Sequence, residues 1–202
     1  MVNKLPPELD NPLDTIIYNH IDKQLPWYKK YGFSPNGLTT LSLAAGLFAV
    51  HLVLTGHYEI GAFFWFVAYY YDCADGKLAR RYQMTSAFGD LYDHGADAVK
   101  HILMIGVLIT KLKKFKGLAI LVGLLITILL ASQMGCQETY AQSISNDPPK
   151  HSLCLKMYQT LVVFDDCKDQ MKYTRYFGPV TGTIYIMFII MCLRRMNSNS
   201  SF

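Results

Sequence analysis

The sequence predicts an all-α integral membrane protein, a bundle of about six transmembrane helices preceded by an N-terminal interfacial amphipathic helix. The chain has 202 residues, of which 51% are hydrophobic and 13% aromatic, and this is too apolar for an ordinary soluble domain. Several uncharged stretches are long enough to cross a hydrocarbon core of about 30 Å. Acidic residues then recur at helical spacing beside two of these stretches, which indicates a polar site within the membrane.

Residues 1–33 are predicted to form the juxtamembrane amphipathic segment. Apolar residues recur there at helical spacing and oppose polar ones, as in a helix that lies in the interface. A helix packed on a soluble partner is the alternative. No cleaved signal peptide is expected, because no long apolar core follows a positive n-region. An aromatic and basic anchor favours the cytoplasmic side for this end: Trp27, Tyr28, Lys29 and Lys30.

The membrane domain is expected over residues 34–196, and a disordered tail over 197–202. Arg194 and Arg195 follow the last uncharged stretch and predict a cytoplasmic end, so the number of crossings should be even. The basic run from Lys111 to Lys116 would then lie outside, against the positive-inside rule. The predicted spans, of which the fifth is the weakest, are 38–56, 60–80, 87–111, 117–137, 153–164 and 177–193.

The stretch 72–97 carries the chemistry of the chain. At about 100° per residue, its first half places two aspartates and two small residues on one helix face, and its second half forms a narrow stripe on the next helix. Two acidic faces can therefore meet. The first face carries Asp72, Asp75, Gly76 and Ala79, and the second carries Gly89, Asp93 and Asp97.

Four converging carboxylates would repel one another without bound positive charge. Hard oxygen ligands without a Cys or His pattern suit Mg²⁺, Mn²⁺ or Ca²⁺, and a paired-metal site would hold two ions about 3.5–4 Å apart around a phosphoryl-type transition state. The small residues leave room for close helix approach or for a bulky ligand. Solvated charges in a loop are the alternative, which the apolar flanks disfavour.

The remaining composition excludes other classes of function. A net charge of +4 suits an anionic lipid surface, but no basic, aromatic-interleaved patch accompanies it, so no nucleic acid partner is expected. The five cysteines show neither paired metal spacing nor an even framework, and no disulfide is predicted.

The stretch 72–97 resembles the signature of the class-I CDP-alcohol phosphotransferase (CDP-alcohol phosphatidyltransferase) family, Asp-x-x-Asp-Gly-x-x-Ala-Arg-x8-Gly-x-x-x-Asp-x-x-x-Asp, at every position. Pro35, Asn36 and Thr39 similarly resemble the Pro-Asn-x-x-Thr opening of the family's first membrane helix. The resemblance implies transfer of a phosphoalcohol group from a CDP-alcohol donor to the hydroxyl of a lipid or small-alcohol acceptor. CMP would be released and a phosphodiester lipid formed.

By this resemblance, Asp72, Asp75 and Asp93 would hold two divalent ions, Mg²⁺ or Mn²⁺, on the donor's pyrophosphate. Asp97 would join the metal site and act as the base that takes the acceptor's proton. The CDP moiety would be bound by Asn36, Gly76, Ala79, Arg80 and Gly89.

Two of the candidate residues, Arg80 and His94, have alternative structural roles. Arg80 suits bidentate phosphate contact or could serve only as an anchor at the helix end. His94 and Glu138 are further catalytic candidates beside the acceptor, and for His94 a structural bond to a neighbouring carbonyl is an equal alternative.

Residues 75–81 and 93–95 are most similar to the eukaryotic choline and ethanolamine phosphotransferases, whose acceptor is diacylglycerol. Those enzymes are longer, with more membrane helices after the core. The alternative is a CDP-diacylglycerol-dependent synthase of the phosphatidylglycerophosphate, phosphatidylserine or phosphatidylinositol type. A eukaryotic member would lie in an endoplasmic reticulum-type membrane with its site facing the cytoplasm, and homodimers are expected. A cation carrier or a non-catalytic scaffold would not need Gly76, Ala79 and Arg80.

Overall fold

The computed structural model describes residues 9–112, 116–144 and 167–198. All regular elements in these ranges are helices, so the all-α class is confirmed. They are α1 (Pro12–Lys30), α2 (Pro35–Leu54), α3 (Tyr58–Arg81), α4 (Ala87–Lys111), α5 (Lys116–Ile144), α6 (Cys167–Thr174), a 3-10 turn (Arg175–Phe177) and α7 (Pro179–Ser198).

Three segments among the described residues are long and apolar enough to cross a membrane: Pro35–Leu54, Lys116–Gln137 and Met171–Met196. Large apolar side chains such as Leu124 and Ile128 of α5 are exposed, as expected for surfaces that face lipid. The chain is therefore an integral membrane protein. The predicted span at 153–164 lies outside the described residues, and the count of six spans stays a prediction.

Two serine side chains cap the helices α2 and α4. Ser34 Oγ accepts a hydrogen bond of 3.1 Å from the backbone N–H of Gly37 and caps α2. Ser86 Oγ accepts one of 2.9 Å from Gly89 and caps α4. The span predicted at 87–111 coincides with α4. The caps matter for the site because they fix where along α2 and α4 each polar side chain lies.

The described residues form two compact units, one from 9–16, 120–144 and 167–182, the other from 17–112, 116–119 and 183–198. In the second unit, α2 and α3 approach closely at Gly61, where a Cβ atom would lie 2.8 Å from Val53 Cγ2. The core of this unit combines residues of α2, α3 and α4 with Ile186 and Ile190 of α7. These apolar contacts hold together the helices that carry the acidic residues.

The first unit joins α5 to α6. Cys136 of α5 and Met171 of α6 are fully buried together, next to Leu9. Thr174 donates a hydrogen bond to Gln133 across the two helices. Buried polar contacts of this kind fix helix register where apolar packing alone would not.

Helix α1 packs on the second unit and still keeps an exposed apolar side. Ile21 and Leu25 are fully buried against Ala74 and Leu78 of α3. Ile16 and Trp27, on the other side of α1, are 66% and 52% exposed. Residues 12–30 are therefore helical, as predicted, and the location of the exposed apolar side in the membrane interface stays a prediction.

A buried ion pair attaches α1 to α3. The Lys77 side chain is 1% exposed, and its Nζ lies 2.6 Å from Asp22 Oδ2 and 3.3 Å from the carbonyl oxygen of Tyr18. The Tyr18 ring also faces this ammonium at 4.9 Å. Together these contacts compensate the charge of a lysine that has almost no access to water.

We expect Asp22→Ala to lower the free energy of unfolding by about 3 kcal/mol, because it leaves the buried Lys77 ammonium without its counter-charge. Glu59→Ala is the matched control. Glu59 pairs with Arg194 at 2.6 Å, but both side chains are more than half exposed, so its loss should cost no more than about 1 kcal/mol. Thermal unfolding of both variants in the same detergent checks this, and equal shifts would contradict it.

The same Glu59–Arg194 pair corrects the predicted topology. Glu59 is in the first turn of α3, whereas Arg80 and Arg81 are at its opposite end. Lys111, at the end of α4, likewise donates to the carbonyl oxygen of Leu54 at the end of α2. The expectation that Arg194 shares a side with Arg80 is therefore wrong, and the argument for an even number of crossings falls with it.

Candidate active site

The four motif aspartates lie on facing helices, two on α3 and two on α4, as the spacing predicts. The carboxylates of Asp72 and Asp97 meet across the two helices, because one lysine side chain contacts both. Because α3 and α4 follow each other through a short connection, Asp75 and Asp93 are nearer that connection and the other two lie deeper. The acidic site thus consists of an outer pair, Asp75 and Asp93, and an inner pair, Asp72 and Asp97.

Helix α2 supplies a hydroxyl to the outer pair. Thr39 Oγ1 donates a hydrogen bond of 2.6 Å to Asp75 Oδ2. Thr39 is 3% exposed and Asp75 is 4% exposed, so this bond is shielded from water. Thr39 is the threonine of the Pro-Asn-x-x-Thr stretch. Its bond to Asp75 is a structural reason for a threonine at this position.

The outer pair also contains an acceptor that lacks a donor. Asp93 Oδ1 is buried and has no hydrogen-bond partner among the described residues. A buried, unsatisfied acceptor costs about 1–3 kcal/mol, and more when it is charged, so the arrangement favours a cation at this oxygen. Carboxylate oxygens are the ligands that Mg²⁺ and Mn²⁺ prefer. The donors present therefore fit a divalent ion.

Within the described ranges, no three acidic, histidine or cysteine side chains already converge as a complete metal cage. Mg²⁺ sites commonly use one or two carboxylates, with water and substrate phosphates completing the octahedron. A site built on Asp75 and Asp93 has that composition.

The inner pair is bridged by a lysine that the sequence analysis missed. Lys100 Nζ lies 2.9 Å from Asp72 Oδ1 and 2.6 Å from Asp97 Oδ1, and it donates a third bond of 2.7 Å to Ser42 Oγ. The lysine side chain is 4% exposed. Its sequence signal is a lysine three residues after Asp97, followed by a stretch with no other formal charge before Lys111.

A glycine of α2 makes room for this lysine. A Cβ atom on Gly46 would lie 3.1 Å from both Cβ and Cδ of Lys100. One turn earlier, Ser42 Oγ donates 2.9 Å to the carbonyl oxygen of Ala68 on α3 while it accepts from Lys100. The ammonium therefore ties α2, α3 and α4 together at the level of the inner pair.

Three of the five residues expected at the CDP moiety, Gly76, Ala79 and Arg80, lie close together on α3. A Cβ atom on Gly76 would lie 3.2 Å from Arg80 Nη1, so the guanidinium folds back over the glycine. Arg80 is exposed and makes no hydrogen bond or ion pair within the described part of the chain. Its five N–H donors remain available to an anionic ligand. Ala79, half-buried, lies beside them one turn after Asp75.

The other two come together where α2 and α4 begin. A Cβ atom on Gly89 would lie 3.1 Å from Asn36 Oδ1 and 3.0 Å from Ser86 Oγ. The side-chain amide of Asn36 thus lies against the Gly89 backbone, where α4 carries no side chain. Asn36 and Gly89, which were both predicted to bind the CDP moiety, therefore lie next to each other.

The family model for CDP-alcohol phosphatidyltransferase matches residues 33–198. The chain belongs to this family. It is also 31% identical over 107 residues to Cholinephosphotransferase 1 of Danio rerio, an alignment that covers 48% of this chain and 27% of the relative. The chain therefore spans only part of the length of the curated relative it matches. No solved structure matches the chain.

The two further catalytic candidates, His94 and Glu138, differ in what the structure shows of them. His94 Nδ1 donates 2.7 Å to the carbonyl oxygen of Asp90 in its own helix, which is the structural alternative considered from the sequence. The same nitrogen lies 3.7 Å from Asp90 Oδ1. Glu138 belongs to α5, and its side chain lies outside the described part.

Proposed function

We propose that the chain transfers a phosphoalcohol group from a CDP-linked donor to an acceptor hydroxyl in a reaction that depends on a divalent ion. The observation that carries this proposal is the meeting of Asp72 and Asp97 across α3 and α4, with Asp75 and Asp93 one turn nearer the connection between these helices, in a member of this family. Choline or ethanolamine is the proposed alcohol and diacylglycerol the proposed acceptor. The similarity to Cholinephosphotransferase 1 supports that branch.

The outer pair would hold Mg²⁺ or Mn²⁺ with its carboxylate oxygens, and the inner pair adds negative charge behind it. When bound, the ion would neutralise the donor's pyrophosphate and stabilise charge that develops in the transition state. Thr39 holds Asp75 in place through its 2.6 Å bond, which leaves that carboxylate one oxygen for the ion. Asp93 Oδ1, which lacks a donor, is the second ligand oxygen.

The donor would lie over the small residues of the motif. Gly76, Ala79 and Gly89 leave the space for phosphates and cytidine, and Arg80 can give two parallel N–H bonds to one phosphate. Asn36 can offer its amide to the nucleoside from beside Gly89. Each of these groups binds or orients the donor, and none needs to change its charge.

The chemical step joins the acceptor oxygen to the donor's β-phosphorus. As that bond forms, the bond from the β-phosphorus to the bridging oxygen breaks, and CMP leaves with the electron pair. The proton of the acceptor hydroxyl would pass to Asp97, which the Lys100 contact at 2.6 Å holds in a fixed position. The products are CMP and a phosphodiester lipid.

The test is an assay of the purified full chain in lipid nanodiscs with labelled CDP-choline, CDP-ethanolamine or CDP-diacylglycerol. We expect transfer of phosphocholine or phosphoethanolamine to diacylglycerol with equimolar CMP release. Turnover with CDP-diacylglycerol alone would move the chain to the other branch. Ion flux without any CMP release would favour a carrier, and donor binding without turnover or flux would favour a scaffold.

The proposal includes where the reaction occurs. We place the chain in an endoplasmic reticulum-type membrane as a homodimer, with the acidic site facing the cytoplasm. The family resemblance supports these statements.

A further inference from the structure

Lys100 is an unusual group for a site that is proposed to bind metal ions. The Lys100 ammonium, which has N–H donors and no acceptor, donates hydrogen bonds to Asp72 Oδ1 at 2.9 Å and to Ser42 Oγ at 2.7 Å, and it forms an ion pair with Asp97 Oδ1 at 2.6 Å. The three partners come from three helices. The lysine is therefore a resident part of the inner pair and not a surface side chain that has folded inward.

The two halves of the acidic site differ in their counter-charge. The inner pair has the Lys100 ammonium between its carboxylates. The outer pair accepts a hydrogen bond from the neutral Thr39 hydroxyl and makes no ion pair within the described residues. Asp93 Oδ1 and Asp97 Oδ1 are both buried without a hydrogen-bond donor, but only Asp97 Oδ1 has the Lys100 ammonium beside it, at 2.6 Å. A positive charge is thus built into one half, whereas the other half has no cation beside its oxygen.

Building on the proposed function, we propose that Lys100 takes the place of one divalent ion. The chain without its nucleotide donor then binds a single Mg²⁺ or Mn²⁺, at Asp75 and Asp93, and not two. A second ion at the inner pair would have to bind Asp72 and Asp97 at about 2.0–2.2 Å, through oxygens that the ammonium already contacts. The repulsion between the two cations opposes this arrangement.

Moving the lysine aside would also be costly. Its side chain is 4% exposed and lies against Gly46, whose missing Cβ leaves room for the lysine stem along α2. A displaced ammonium would lose three charge-assisted or polar bonds at once, within a packed three-helix contact. Lys100 thus acts as a positioning residue that holds the inner carboxylates and sets the number of ions.

The experiment counts Mn²⁺ bound per chain, by paramagnetic resonance of free Mn²⁺ with the purified full chain in detergent and no nucleotide. We expect one ion for the wild type and two for Lys100→Met. Lys77→Met is the matched control, because Lys77 is as buried as Lys100 but pairs with Asp22 of α1. It should still bind one ion. Asp93→Asn should lose the ion of the wild type, whereas Asp72→Asn should keep it.

Two ions in the wild type, or one ion in both the wild type and Lys100→Met, would overturn this inference and leave the proposed function intact. No bound ion, together with full turnover in a chelator, would overturn the metal-dependent function as well. If Lys100→Met does not fold, the wild-type count and the comparison of Asp93→Asn with Asp72→Asn still decide the question.

Discussion

Excess EDTA should abolish CMP release by the purified chain, and added Mg²⁺ or Mn²⁺ should restore it. The donor's pyrophosphate is negative and must approach carboxylates of which only the inner pair has a bound ammonium. Without an ion at Asp75 and Asp93, these charges repel the donor. The expected loss is at least roughly 10²-fold, because a bound ion contributes several kcal/mol of transition-state stabilisation.

The matched variants for this prediction lie one turn apart on α4. Asp93→Asn removes the charge of the carboxylate whose Oδ1 is buried without a donor, and it should raise the Mn²⁺ concentration for half-maximal turnover by roughly tenfold or more. Asp90→Asn changes an exposed carboxylate in the first turn of the same helix and should leave that concentration nearly unchanged. Full turnover in EDTA, or equal effects of the two variants, would contradict the assignment.

The acidic site could be predicted because it depends on helical periodicity alone. Residues three and four apart share a helix face, so Asp72 and Asp75 had to lie together, and likewise Asp93 and Asp97. A short connection between two helices makes them antiparallel neighbours, which brings the two faces together. The cap at Ser86 then fixes the register of α4. These steps need no knowledge of side-chain packing.

Lys100 could not be predicted by the same reasoning. The sequence places it three residues after Asp97, but its other partners, Ser42 and Asp72, belong to different helices. Whether the three meet depends on how closely α2 approaches α4, and this distance is set by Gly46. The sequence does not show which side chain packs against a glycine in an apolar span. The space that Gly46 leaves for Lys100 is therefore seen only in the structure.

The direction of the last helix was predicted wrongly because basic residues lie at both ends of the second unit. Arg80 and Arg81 end α3 at the acidic site, while Lys111 and Arg194 lie at the opposite end. The positive-inside rule compares charges on the two sides of a membrane, and here both sides carry them. Arg194 was assigned from its charge alone, whereas its position is fixed by apolar packing of α7 on α3 and α4.

Asp97→Asn separates binding from chemistry at the acidic site. The asparagine keeps the shape of the side chain and an oxygen that can still accept from Lys100, now 2.6 Å from Asp97 Oδ1. It cannot accept a proton. We expect this variant to keep most of its affinity for the CDP donor while turnover falls by roughly 10²-fold or more, the scale of losing a positioned general base.

The competing assignment makes Asp97 a metal ligand without a role in proton transfer. Donor affinity and turnover would then fall together in Asp97→Asn, and excess Mn²⁺ would partly restore both. Donor affinity by calorimetry and turnover across one Mn²⁺ titration distinguish the two assignments, with Asp93→Asn measured beside it as the variant that should respond to added metal. If turnover of Asp97→Asn returns to near the wild-type value at high Mn²⁺, the base must be another residue, and His94 and Glu138 are the next to substitute.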